Sequence, residues 1–189
     1  EEEGLLGSAN YVQSLDVEAL KDIALYLNFD MLGSPNPGYF TYDGDQSAPP
    51  DPRGAPRVPE GSAGIERMLA AYLADAGKMP QDTSFDGRSD YDGFTMAGIP
   101  AGGLFSGAED KMSEEEADLW DGEADQPFDP NYHKSTDTLD HVDRDALEIQ
   151  LRDGRRVALS GAALRPALPF IGPQVPVAKR LQRGAKVRV

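Results

Sequence analysis

Cysteine is absent, and histidine occurs only twice, as His133 and His141. Disulfides and zinc–thiolate sites are therefore excluded, and any metal must be held by histidine nitrogen and carboxylate oxygen. Basic residues are scarce too: 18 Lys and Arg against 33 Asp and Glu give a formal net charge of −15. Binding nucleic acid requires clustered cations that neutralise phosphates, and this balance argues against such partners. No apolar run approaches the roughly eighteen residues of a membrane span, and no basic-then-apolar leader opens the chain. An initiator methionine is missing as well. The sequence opens on Glu1-Glu2-Glu3, so this reading places any targeting signal upstream.

What is present suits one domain with a sizeable core: 189 residues, 39% of them hydrophobic. Charge is unevenly placed. Residues 1–150 carry 32 acidic and 9 basic side chains, whereas 151–189 carry 1 and 9. Leu5, Leu6, Ala9, Val12 and Leu15 recur at helical spacing, which predicts an amphipathic helix over Gly4–Leu15. Ile23–Phe29 is a short, near-continuous apolar run, as expected of a strand buried on both faces of a parallel sheet. It ends at Asp30, and the carboxyl ends of such strands are where open α/β sheets bind ligands.

Seven of the fifteen prolines fall between residues 33 and 61, leaving room there only for a short strand at Tyr39–Tyr42. Ser62–Gly77 predicts a helix with Ile65, Met68, Leu69, Tyr72 and Leu73 on one face and Gly77 as its terminator. Ile99–Phe105 reads as a second inner strand, Ser113–Glu116 as a capping box before Trp120, and a last helix starts near Asp143. The expected fold class is α/β, a three-layer α/β/α domain with a mixed, largely parallel central sheet. A first strand should precede the first helix and is not there, so the N-terminal part of the fold is expected to be missing.

Singly, each candidate for chemistry has a bland reading. Glu1 and Glu2 can be the solvated start of a helix, Asp30 a turn former, and His133 and His141 exposed loop histidines. Together they form an ordered pattern. The strings are Glu1-Glu2-Glu3-Gly4-Leu5-Leu6-Gly7-Ser8, Asn28-Phe29-Asp30-Met31-Leu32-Gly33-Ser34-Pro35-Asn36-Pro37-Gly38-Tyr39-Phe40, Gly87-Arg88-Ser89-Asp90-Tyr91, Gly98–Ala108 and Tyr132-His133-Lys134-Ser135-Thr136-Asp137-Thr138. In this order, over residues 1–150, the chain resembles the dizinc aminopeptidases, whose relatives include glutamate carboxypeptidases and glutaminyl cyclases.

The resemblance implies a zinc-exopeptidase fold and a site for two Zn2+. Glu1 is similar to the general base that takes a proton from the metal-bound water. Glu2 and His133 resemble two zinc ligands, one for each metal, and Asp30 a further ligand. Tyr132 is similar to the residue that helps hold the tetrahedral intermediate, and Arg88 to an active-site arginine. Met31, Gly87 and Phe105 fall where relatives line the pocket for the substrate's terminal side chain. These types suit the chemistry: two zincs can share one water and acidify it, and a carboxylate outside the ligand set can carry its proton to the leaving amine.

The resemblance also implies a further His and a bridging Asp in upstream segments, neither of which this chain contains. The chain alone is thus expected to be an incomplete enzyme, the C-terminal portion of a longer parent. Relatives continue past Ile149 in a long amphipathic helix; here Arg152-Asp153-Gly154-Arg155-Arg156 intervenes, and a basic, proline-containing tail is expected over 151–189, appended or aberrant. The implied activity is removal of apolar N-terminal residues from peptides by a secreted or periplasmic enzyme. Carboxypeptidase action on acidic C-termini, glutaminyl cyclisation and an inactive binding relative remain as alternatives.

Overall fold

The computed structural model describes residues 4–48 and 58–159, with side chains through Leu151. Its elements run α1 (Leu6–Gln13), α2 (Val17–Lys21), β1 (Tyr26–Phe29), β2 (Phe40–Tyr42), α3 (Ser62–Asp75), β3 (Gln81–Thr83), α4 (Tyr91–Met96), β4 (Ala101–Phe105), α5 (Glu114–Trp120) and α6 (Arg144–Leu159). Strand order is β1-β4-β2-β3. β1 lies parallel to β4 in the register Tyr26↔Ala101 to Phe29↔Leu104, and β2 parallel to β3. β2 and β4 are antiparallel, pairing Phe40 with Phe105 and Thr41 with Leu104. The sheet is mixed and mostly parallel, with helices on both faces, as the element order predicts.

Strand alternation sorts the core into two layers. Leu104 of β4 faces Ile65, Leu69 and Leu73 of α3, all three fully buried. Burial of each stabilises by about 1.5–3 kcal/mol relative to exposure. Gly102 on the same face leaves room for Ile65, whose Cβ would lie 3.0 Å from an added methyl carbon. The other face of β4, through Ala101, meets Tyr91 of α4 in a cluster with Tyr42 and Phe85. Phe94 of α4 stacks on Tyr26 at 4.0 Å and meets Tyr11 of α1 at 6.1 Å.

Helix ends follow the local sequence. α3 closes in a Schellman arrangement: Gly77, at φ +79°, donates to the Ala74 carbonyl, and Lys78 to that of Leu73. Ser113 and Glu116 form the reciprocal capping box of α5. At α6, Asp143 Oδ1 accepts the N–H groups of Asp145 and Ala146, and the Asp143 N–H reaches the Gly33 carbonyl at 2.9 Å. α6 then packs on α3, where the Tyr72 hydroxyl donates to the Ile149 carbonyl at 2.6 Å.

One expectation changes. β1 is not buried on both faces: only Asn28 is buried, and Phe29 is 38% exposed. Among the described residues β1 is an outer strand with β4 alone beside it, and an outer strand is covered less. The last helix, α6, starts at Arg144, next to the expected Asp143. It runs through Gly154 to Leu159, because one interior glycine costs a helix only about 1 kcal/mol and no proline occurs before Pro166. Residues 160–189, most of the basic tail expected over 151–189, lie outside the described residues.

Candidate active site

The parallel pairing of β1 and β4 brings their carboxyl ends to one edge, placing Asp30 beside the segment Ser106–Glu109. The Ser106 N–H donates to the Met31 carbonyl at 2.7 Å, so the two strand ends remain tied as they leave the sheet. A second segment is stitched to the end of β4. Phe128 donates to Asp110, Asp129 donates to Ala108 at 2.7 Å, and the Asn131 N–H donates to Asp129 Oδ1 at 2.8 Å. This turn delivers Tyr132 and His133 to the same edge. His133 adopts φ +53°, uncommon for a non-glycine residue, and its ring lies 4.2 Å from that of Tyr132.

Arg88 and Ser89 arrive from the turn before α4. The Ser89 hydroxyl donates to Asp30 Oδ2 at 2.6 Å, and Asn28 Nδ2 donates to the Ser89 oxygen at 2.9 Å. Asn28 and Ser89 are both buried, so this chain of donors fixes the Asp30 carboxylate from inside. Arg88 Nη2 donates to Glu109 Oε1 at 2.6 Å and also reaches the Tyr132 side chain. The hydrogen bond it donates to Glu109 holds the guanidinium above its ordinary pKa despite partial burial. Burial raises Glu109, but its own backbone N–H and the bond and charge of Arg88 outweigh this and hold it below the usual range, with a further contribution from His133. Asp30, Arg88, Tyr132 and His133 are thus joined through two intermediaries, Ser89 and Glu109.

The expected pocket residues divide. Met31 follows Asp30 directly, at φ +52°. Gly87 sits at φ +81° and donates to the Tyr91 hydroxyl at 2.9 Å. Phe105 ends β4, where its ring meets Phe40 and Tyr42 at 6.0 and 6.4 Å and so belongs partly to the core. His141 is exposed, its ring 2.8 Å from the Thr136 carbonyl, in keeping with its bland reading. Glu1 and Glu2 lie outside the described residues. A groove of about 460 Å³ lined by Pro35, Tyr39, Trp120 and Ile149 contains none of the site residues.

Sequence reasoning assigned no role to Asn28, Ser89, Ser106 or Glu109. Asn28 and Ser89 stood inside the quoted strings, but no spacing shows that residues 61 apart in sequence share a hydrogen bond.

With this geometry in place, residues 1–152 match the family model for peptidase family M28. The chain belongs to peptidase family M28. It is 76% identical over 149 residues to a probable lipoprotein aminopeptidase, LpqL, of Mycobacterium tuberculosis, covering 79% of this chain and 30% of that protein. An aminopeptidase of Pseudomonas aeruginosa is 47% identical over 149 residues, 79% of this chain and 27% of the relative. The fold is similar to that of BSAP, a zinc aminopeptidase from Bacillus subtilis, with TM-score 0.57 and 21% identity over 90% of this chain and 37% of that one. The M28 chain described here spans about 30% of the length of the curated relatives it matches.

Proposed function

We propose that this M28 segment forms part of the active site of a metallo-aminopeptidase that removes apolar N-terminal residues from peptides, the activity belonging to a longer parent chain. The observation that carries the reading is the convergence of Asp30, Arg88, Tyr132 and His133 on the edge formed by the carboxyl ends of β1 and β4.

The donor set fits zinc. Ser89 occupies one oxygen of Asp30 and leaves the other carboxylate oxygen for a metal. None of the ion pairs among the described residues, at Lys21–Glu18, Arg88–Glu109 and Lys111–Asp125, neutralises Asp30. Carboxylate oxygen and imidazole nitrogen are the zinc donors that remain to a chain without cysteine. Asp30, Glu2 and His133 would hold the pair, with a further His and a bridging Asp supplied upstream. Bound there, two zincs supply Lewis acidity and a water acidified to a pKa of roughly 7.

The chain's own groups do the rest. Glu1 accepts the proton of the attacking water and returns it to the leaving amine. The Tyr132 hydroxyl donates to the oxygen that gains charge as the carbonyl becomes tetrahedral. Arg88, clamped by Glu109, orients that hydroxyl and adds a fixed positive charge. Met31, Gly87 and Phe105 border the space for the terminal side chain. A secreted or periplasmic home accords with the LpqL name, which describes a lipoprotein.

The test is metal stoichiometry and turnover in the full-length parent. Chelation should abolish hydrolysis of aminoacyl anilides and zinc should restore it. Asp30→Asn and His133→Ala should each lower bound zinc, by direct metal analysis. Two zincs retained in both variants would refute the ligand assignment.

A further inference from the structure

The residue after Asp30 has a backbone that its side chain does not favour. Met31 sits at φ +52°, in the left-handed region that non-glycine residues occupy only at a steric cost. Such a conformation persists where surrounding contacts over-determine it, and these residues cluster at functional sites. Here the contacts come from Ser106. Its N–H donates to the Met31 carbonyl at 2.7 Å, and its hydroxyl donates to the same oxygen.

Ser106 is itself fixed. Its oxygen accepts the Ser34 N–H at 3.1 Å, and the Ser34 hydroxyl lies 2.8 Å from it while donating to the Gly107 carbonyl at 2.6 Å. Two hydroxyls carry two protons. With Ser34's proton on Gly107, that of Ser106 is left for Met31, and the Ser34 N–H rather than its hydroxyl is the group that donates to Ser106. Ser34 and Ser106 are almost fully buried, at 1% and 0% exposure, so water cannot replace these bonds. The segment is consequently gripped at two points, the Asp30 carboxylate by Ser89 and the Met31–Leu32 peptide one residue on by Ser106.

We infer that Ser106, braced by Ser34, is a positioning residue that holds the left-handed turn at Met31 and thereby aims the Asp30 carboxylate at the metal. The inference rests on Asp30 as a zinc ligand. Without the hydroxyl bond only the Ser106 N–H holds the Met31 carbonyl, Met31 relaxes from the left-handed region by rotation between its two flanking peptides, and the Asp30 carboxylate on the N-terminal side leaves its aim.

Zinc affinity of the full-length parent, measured by competition with a chromophoric chelator, separates the possibilities. Ser106→Ala should weaken zinc by roughly 10-fold or more, the low end for loss of a group that orients a metal ligand. Glycine accepts the left-handed region without penalty. In a Met31→Gly background, Ser106→Ala should therefore change zinc affinity by less than about 3-fold, an expectation that follows from that freedom. An equal loss in both backgrounds would mark Ser106 as packing alone, and wild-type affinity in the single variant would overturn the inference outright. If Ser106→Ala does not fold, Ser106→Cys, nearly isosteric but a weaker donor, supports the same two-background comparison. Asp30→Asn is the separate control. If it leaves zinc unchanged the ligand reading fails, whereas a loss there with Ser106→Ala unaffected refutes only the positioning role.

Discussion

Adjacent carboxylates can have different duties, and Glu1 and Glu2 test that at the level of single side chains. Successive residues of an extended chain point to opposite sides, so one can face a metal while its neighbour faces the water. In the full-length parent, Glu1→Gln should leave zinc content intact and reduce kcat by about two to four decades, the usual span for general acid–base catalysis, with KM little changed. Glu2→Gln should instead lose metal and recover in part with added zinc, and Glu3→Gln should match wild type. Metal analysis beside steady-state rates reads out all three. Zinc lost from Glu1→Gln but kept in Glu2→Gln would shift the assignment by one residue.

α3 carries a carboxylate whose titration bears on stability. Glu66 is 8% exposed, and its Oε2 accepts the N–H groups of Gly44 and Asp45 at 2.8 and 2.9 Å. Burial raises its carboxyl above the usual value; those N–H groups oppose the shift, while the charges of Asp45 and Asp82 add to it. The folded state therefore disfavours the ionised form. A raised carboxylate takes stability away as pH climbs from the ordinary value of 4.5 through the higher folded value, and takes none away below 4.5. Glutamine keeps an oxygen for both N–H groups and removes the charge. Glu66→Gln should accordingly raise Tm at neutral pH, with the gain disappearing on acidification below the ordinary carboxylate value. Thermal melts across that range check it, and a neutral-pH loss as large as the acid one would contradict it.

For the whole molecule, the proposed substrate preference rests on the site's composition. Met31 and Phe105 border the proposed pocket, and Arg88 is already engaged by Glu109 rather than set to grip an acidic side chain. N-terminal Leu should be preferred over N-terminal Glu. Burying one leucine-sized side chain is worth about 1.5–3 kcal/mol, or roughly one to two decades in kcat/KM if realised in the transition state. Anilide substrates differing only in the first residue measure it, and equal or faster cleavage of Glu would reverse the assignment.

Sequence alone determined the elements whose information is local. The periodicity of Ile65, Leu69 and Leu73 made α3, Gly77 ended it through its left-handed freedom, and Ser113 with Glu116 capped α5. Residue types also decided the donor chemistry, since a chain with no cysteine and two histidines leaves a metal mainly oxygen and imidazole. Tertiary structure decided what depends on distant segments. β2 turned antiparallel to β4, β3 formed from the polar string Gln81–Thr83 by pairing with β2, and β1 took an outer place despite its apolar composition. The bonds from Asn28 to Ser89 and from Ser106 to Met31 span 61 and 75 residues. No periodicity encodes such pairs, because they exist only once parallel strands and their loops bring the ends of β1 and β4 side by side.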